Sequence, residues 1–174
     1  VASNNNKEVG EMISKAMKEV GEDGVITVEE GSGRENELEI VEGMRLDKGF
    51  ISPYFVTEKN GLVSNLLDAY ILIADHKISD AKALINLMEK VTAEGKGRSL
   101  FIIADDVEGD SLAAMVVNHM RGVLKCAAIK APSFGDRRKG ILEDIAILTG
   151  GKVLTEELGS KFEDLNLNEL GNAK

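Results

Sequence analysis

Residues 69–91 have the sequence AYILIADHKISDAKALINLMEKV, in which an apolar run precedes a polar turn and an amphipathic run. Ala69 to Ala74 is apolar throughout, which is typical of a strand buried on both faces. Ser79 or Asp80 can cap a helix that continues to about Ala93, because apolar residues then recur at helical spacing. The predicted buried stripe of this helix comprises Leu84, Leu87, Met88 and Val91.

The same alternation continues along the chain. Further apolar runs predict strands at Leu100–Ile103, Leu124–Ala131 and Val153–Leu154. Amphipathic segments predict helices from about Gly109 to Arg121 and from Asp136 to Thr149, with a short helix near Leu165–Leu170. Strands that alternate with helices and are apolar along their length favour an α/β layered core with parallel strand pairing.

The first part of the chain has a different pattern. Apolar residues at helical spacing predict an amphipathic helix that Asn5 or Asn6 caps and Gly21 ends. Two short apolar runs, Val25–Val28 and Leu38–Val41, predict strands.

Composition excludes several classes of protein. Among 174 residues, 21 Lys and Arg against 30 Asp and Glu give a net charge of -9, which argues against nucleic-acid binding. Two histidines exclude a three-histidine metal site, and one cysteine excludes an internal disulfide, which fits a reducing compartment. No apolar run approaches the roughly 20 residues that span a bilayer, so we expect no membrane partner. Since the chain begins at Val1 without an initiator Met or a signal peptide, we expect a processed chain or part of a longer one.

Charged residues beside the predicted strands leave two interpretations open. Asp105, Asp106 and Asp110 follow a strand, where a metal-dependent α/β enzyme can hold its metal. The alternative, that they complement the start of the next helix, is favoured because no second carboxylate cluster follows another strand. The basic run at residues 136–139 fits either an ion-pairing site or a solvated face. Three further residues are predicted to be packed or exposed rather than catalytic: His76, His119 and Cys126.

Two predicted helices carry more apolar residues than one buried stripe needs. Ile85 lies off the stripe of the first helix, and residues 112–117 of the second are apolar in every direction around the axis. Either the second helix is buried on all sides, or one apolar strip faces a partner, and the residues leave both possibilities open. With the aromatic residues Phe50, Tyr54 and Phe55, there is enough apolar material for a nonpolar binding surface.

Several motifs along the chain are similar to those of one protein family. They are VEGM (41–44), FISPYF (50–55), IADDVEG (103–109), KAPSFGDRRK (130–139), DIA (144–146) and LTGG (148–151). Together they closely resemble the group I chaperonins of the GroEL type, and the likeness extends essentially from end to end. Ser133 stands where this family has a glycine.

The resemblance implies a domain organisation. Residues 1–41 are similar to a segment of the intermediate domain, and residues 42–174 to the apical polypeptide-binding domain, truncated at its C-terminus, with a hinge at Gly43. The apical domain of this family has a swivelling β/β/α layered fold with helices flanking β-sheets. The family's ATP site, with its Mg²⁺, belongs to an equatorial domain, so we expect no catalytic residue, cofactor or metal site in these 174 residues.

The resemblance also implies a function, which is that of a molecular chaperone. In this family, non-native polypeptides and a GroES-type co-chaperonin bind an exposed apolar groove formed by two apical helices and a nearby segment. Carried over residue by residue, the groove comprises Phe50, Ser52, Tyr54, Phe55, Ile85, Met88, Leu112, Val116, Val117 and Asn118. The other expected partners are the neighbouring subunits of a homo-oligomeric ring. The expected compartment is the bacterial cytoplasm, or the interior of a mitochondrion or plastid.

Overall fold

The computed structural model describes residues 4–21, 26, 28, 30–31, 33–40, 43–58, 60, 62–155 and 165–174. The chain divides into two compact units, Val1–Arg45 and Leu46–Lys174. This division lies close to the boundary that the resemblance implies after residue 41, and the assignment of the first segment to an intermediate domain stays a prediction.

The first unit contains helix α1, Lys7–Val20. Asn6 caps it, because its side-chain oxygen accepts hydrogen bonds from the backbone N–H groups of Glu8 and Val9 at 3.1 and 3.3 Å. Gly21 follows the last turn at φ 76°, a left-handed conformation that favours glycine. The predicted helix and both of its ends are confirmed.

The two strands predicted in the first unit have different outcomes. Val25–Val28 falls largely on residues outside the described ranges. Residues 38–40 are described and form no strand, so the prediction of a strand at Leu38–Val41 is wrong for the part that can be compared. An apolar run becomes a strand only where a partner supplies hydrogen bonds, and no described segment pairs with residues 38–40.

The second unit is built on a five-stranded, mostly parallel β-sheet beside a separate two-stranded parallel sheet. The strands are β1 (Ala69–Ala74), β2 (Lys77–Ile78), β3 (Leu100–Ala104), β4 (Asp106–Val107), β5 (Cys126–Lys130), β6 (Val153–Leu154) and β7 (Gly171–Ala173). The main sheet has the order β5–β3–β1–β6, and β7 pairs antiparallel with the first half of β1. The small sheet pairs β2 with β4. The predicted α/β class with parallel pairing is confirmed.

Three helices cover the two faces of the main sheet. They are α2 (Ala81–Glu94), α3 (Gly109–Met120) and α4 (Gly135–Thr149). Buried residues of α2 and α3 share one apolar cluster with Leu72 and Ile102, while α4 packs in a second cluster with Ile73 and Ile103. Because β1, β3 and β5 are parallel neighbours, α2 and α3 connect them in the same direction and lie side by side on one face. Among the described residues, no helix is both long and apolar enough to cross a membrane.

The ends of some elements differ from the predictions. Helix α4 begins at Gly135 with Phe134 at its N-cap position, so Asp136 lies in the first turn and does not cap the helix. The helix predicted near residues 165–170 is a single 3-10 turn, Leu167–Glu169. The sequence does not predict β2, β4 or β7, because strands of two or three residues are too short to show a periodic pattern.

Two glycines allow the segments around β6 and β7 to approach closely. A Cβ atom on Gly151 would lie 2.6 Å from the backbone nitrogen of Gly171 and 2.8 Å from its Cα. Since neither backbone atom is at the end of a flexible side chain, any larger residue at position 151 would force the two segments apart.

Candidate functional site

The aromatic segment at residues 50–55 lies along the outer edge of β5. Phe50 forms an antiparallel bridge with Ile129, and the N–H of Ile51 donates to the carbonyl of Ala128 at 2.7 Å. These contacts cover the edge strand of the sheet, and they fix where the following aromatic residues begin.

A 3-10 turn, Pro53–Phe55, then directs two neighbouring rings in opposite directions. The hydroxyl of Ser52 accepts the N–H of Tyr54 at 3.3 Å and starts the turn. The ring of Phe55 is fully buried and meets the ring of His119 edge-on, with centroids 6.0 Å apart. The ring of Tyr54 is 61% exposed. Of these two rings, that of Tyr54 is the one that reaches solvent.

Helix α2 has the buried stripe that the sequence predicts. Leu84, Leu87, Met88 and Val91 are all buried. Ile85 lies off this stripe and is 39% exposed, which leaves a branched apolar side chain on the outer face of the helix.

Helix α3 decides between the two alternatives that its apolar sequence leaves open. Ser111 and Met115 point into the core, and Leu112 and Val116 are half-buried. Val117 is 44% exposed. The helix is therefore not buried on all sides, and an apolar strip on it reaches solvent.

Three of the predicted groove residues are buried rather than exposed. Ser52 and Phe55 anchor the aromatic turn, and Met88 is only 3% exposed because it belongs to the core-facing stripe of α2. The expectation that these three side chains are exposed is wrong, and their part in polypeptide binding stays a prediction. Helical spacing alone assigns Met88 correctly, whereas the family resemblance assigns it to the surface.

The remaining predicted positions form a surface of mixed exposure. Phe50, Leu112, Val116 and Asn118 are half-buried, while Tyr54, Ile85 and Val117 are exposed. The side-chain amide of Asn118 donates to the carbonyl of Ala114 at 2.8 Å. One of its two N–H groups is therefore engaged within α3.

Sequence reasoning missed part of the exposed strip. Met120 and Val123 are both large, apolar and exposed, and they follow Val117 at spacings of three residues. For Met120 the spacing of three from Val117 was the available signal, because side chains three residues apart on a helix lie on the same side, whereas Val123 lies in the loop beyond the end of α3. We call Ile85, Val117, Met120 and Val123 the apolar strip.

Two of the three carboxylates that suggest a metal site form ion pairs with separate cations. Asp105 forms an ion pair with Arg138, and an oxygen of Asp106 lies 3.6 Å from Lys130 Nζ. Asp110 is exposed in the first turn of α3. In the described ranges, no group of three or more His, Cys, Asp or Glu side chains is placed to share a metal ion.

Neighbouring carboxylates pair with Arg138 of the basic run and raise the pKa of Lys77. Arg138 also donates to the carbonyl of Ser133 at 3.1 Å, so the basic run supplies an ion-pairing site within the chain. Lys77 Nζ donates to Glu108 Oε1 at 2.9 Å, and this hydrogen bond raises the pKa of Lys77. Glu108 occupies the N-cap position of α3 but makes no side-chain capping bond there.

The two histidines and the cysteine make contacts within the chain that suit a structural role. His76 lies beside Asp75, with Nδ1 and Oδ1 3.2 Å apart. His119 Nδ1 accepts the backbone N–H of Cys126 at 3.2 Å. Burial raises the pKa of the Cys126 thiol to about 12, which suppresses the thiolate that a nucleophile requires.

Gly43, the predicted hinge, has φ 111° and lies next to the division between the two compact units. A positive φ favours glycine at this position.

No protein-family model matches the chain. The function proposed below therefore rests on the residues and on the geometry of the second unit.

Proposed function

We propose that this chain is the polypeptide-binding part of a group I chaperonin, with residues 42–174 forming its apical domain and residues 1–41 belonging to the intermediate domain. Its function is to bind non-native polypeptides and a GroES-type co-chaperonin within an ATP-driven ring. The motifs quoted above support the family, and the mostly parallel α/β fold is compatible with it.

One observation carries the proposal: apolar side chains point outward on two neighbouring helices. Ile85 on α2 is exposed, as are Val117 and Met120 on α3 and Val123 in the loop after α3. Exposed apolar side chains that form a continuous patch are typical of a surface that binds another molecule.

The physical basis of binding is the burial of this strip against exposed apolar segments of the client. Each square ångström of apolar surface removed from water contributes about 25 cal/mol, whatever the exact shape of the client. Met120 adds an unbranched, adaptable side chain, which suits contacts with many different sequences. A surface of this kind needs no catalytic group.

The experiment compares two single substitutions that place the same charge on opposite faces of the sheet. Val117→Asp puts a carboxylate in the apolar strip, and Ile147→Asp puts one at an 81% exposed position on α4. A chemically denatured, fluorescently labelled protein is titrated with each variant and with the original chain.

We expect Val117→Asp to weaken binding by about tenfold or more, because a carboxylate must lose its hydration when the strip is covered. Ile147→Asp should bind like the original chain. Equal binding by all three proteins would contradict the assignment of the strip, and selective loss in Ile147→Asp would move the site to the other face.

A further inference from the structure

A cavity of about 570 Å³ lies at the C-terminal ends of α2 and α3. Three parts of the chain line it: residues 57, 58, 65 and 67, the end of α2 with the turn that follows, and the loop after α3. We call it the end pocket. Its lining includes Leu67, Thr92, Arg98, Val123 and Lys125.

The end pocket joins the apolar strip at Val123. The side chain of Val123 is exposed at the pocket, and Leu67, on another segment of the lining, is 70% exposed. An extended segment bound along the strip would therefore reach the pocket with an apolar side chain placed against Leu67 and Val123.

The pocket also carries positive charge on an acidic protein. Lys125 is exposed, and within the described part of the chain no carboxylate forms an ion pair with it. Arg98 is held in place, because Nε donates to the carbonyl of Asp68 at 2.8 Å and the guanidinium lies 3.9 Å above the ring of Tyr70. Glu58 is the acidic side chain in the lining. The whole chain has a net charge of -9, whereas the pocket lining contains two cations and one anion. The lining therefore differs in the sign of its charge from the chain as a whole.

The helix ends do not cancel this charge. The C-terminus of a helix usually presents free carbonyls, which repel anions. In α3 the loop amides occupy them: Gly122 N–H donates to His119 at 3.1 Å, and Val123 N–H donates to Asn118 at 3.1 Å. In α2 the carbonyl of Val91 accepts the N–H of Gly95 at 2.8 Å. These bonds occupy part of the carbonyls at both helix ends, and Arg98 and Lys125 supply the positive charges of the lining.

We propose that the end pocket binds the carboxylate-bearing end of an apolar polypeptide segment, with the carboxylate at Lys125 Nζ and the neighbouring aliphatic side chain against Leu67 and Val123. The inference rests on the proposed function, because it assigns a preferred end to the segment that the strip binds. The chemistry recognised is a carboxylate next to an apolar residue, which a chain terminus and an Asp or Glu side chain both supply.

The test uses three fluorescent peptides that share one sequence of Leu, Val and Ser residues and differ only at the C-terminus. The first ends in a free carboxylate, the second in an amide, and the third in an aspartate amide. Each is titrated by fluorescence anisotropy against the original chain, against Lys125→Gln and against Val117→Asp. Lys82→Gln is the matched control, since Lys82 is an exposed cation at the opposite end of α2.

The free-carboxylate peptide should bind about three- to tenfold more tightly than its amide, because a partly enclosed carboxylate gains a charge-assisted hydrogen bond. Lys125→Gln should remove this difference, while Lys82→Gln should leave it intact. If the aspartate peptide behaves like the free carboxylate, side chains are recognised as well, and if it behaves like the amide, the pocket reads only chain termini.

Two outcomes would overturn the inference in distinguishable ways. If the amide peptide binds, is weakened by Val117→Asp and shows no preference for a carboxylate, the proposed function stands and the end pocket is refuted. If no peptide binds at all, both are refuted.

Discussion

Phe55→Ala tests whether this ring belongs to the core or to the binding surface. The ring is fully buried, and it touches His119 edge-on at a centroid distance of 6.0 Å. Replacing a buried phenylalanine by alanine typically costs about 3–5 kcal/mol, from lost transfer energy and from the cavity left behind. Since Phe55 also ties the aromatic turn to the core, little collapse can refill the space. We therefore expect the free energy of unfolding to fall by about 3–4 kcal/mol.

The assay is urea unfolding followed by far-ultraviolet circular dichroism, with Tyr54→Ala as the neighbouring control. Tyr54 is 61% exposed, so its replacement should change the free energy of unfolding by less than about 0.5 kcal/mol. Binding of the denatured client should respond in the opposite order, with Tyr54→Ala the weaker binder. If Phe55→Ala leaves stability within about 1 kcal/mol of the original chain and abolishes client binding, the ring belongs to the binding surface and the reasoning fails.

Three further predictions concern two residues of the second unit, Cys126 and Ser133. The Cys126 thiol, with its pKa raised to about 12 by burial, should resist iodoacetamide at pH 8 in the folded chain, and rapid labelling without unfolding would contradict its burial. Because the unfolded thiol loses its proton near its usual pKa of 9.0 and the folded one does not, stability should also fall as the pH rises above 9. Ser133 has φ 61°, so Ser133→Gly should raise the free energy of unfolding by about 0.5–1 kcal/mol in urea, and a decrease would show that the serine makes a compensating contact.

The longer strands of the main sheet and its helices were predictable, because a long element contains enough residues to show its pattern of apolar positions. Ala69–Ala74 is apolar at every position, and Asp80 caps α2 as predicted, accepting the N–H of Ala83 at 3.1 Å. The small sheet β2–β4 was not predictable, because its pairing depends on where β1 and β3 place their ends.

The candidate site was predictable in its elements and less so in its individual side chains. The surplus of apolar residues on α3 left full burial and an exposed strip both open, and the exposure of Val117 decides for the strip. The direction of Phe55 depends on a tertiary contact with His119, which no periodicity in residues 50–55 reveals. The end pocket was invisible to the sequence, because its wall comes from three segments distant along the chain.

The pairing of β7 with β1 has a consequence for the order in which the chain folds. Ala69 is aligned with Ala173, about a hundred residues later, whereas β1 meets β3 after only about thirty. Closing the longer loop costs more chain entropy, and contacts of high sequence separation form slowly. A chain emerging from the ribosome can therefore assemble β1, β3 and β5 early, while half of one edge of β1 stays open until residues 171–173 are synthesised.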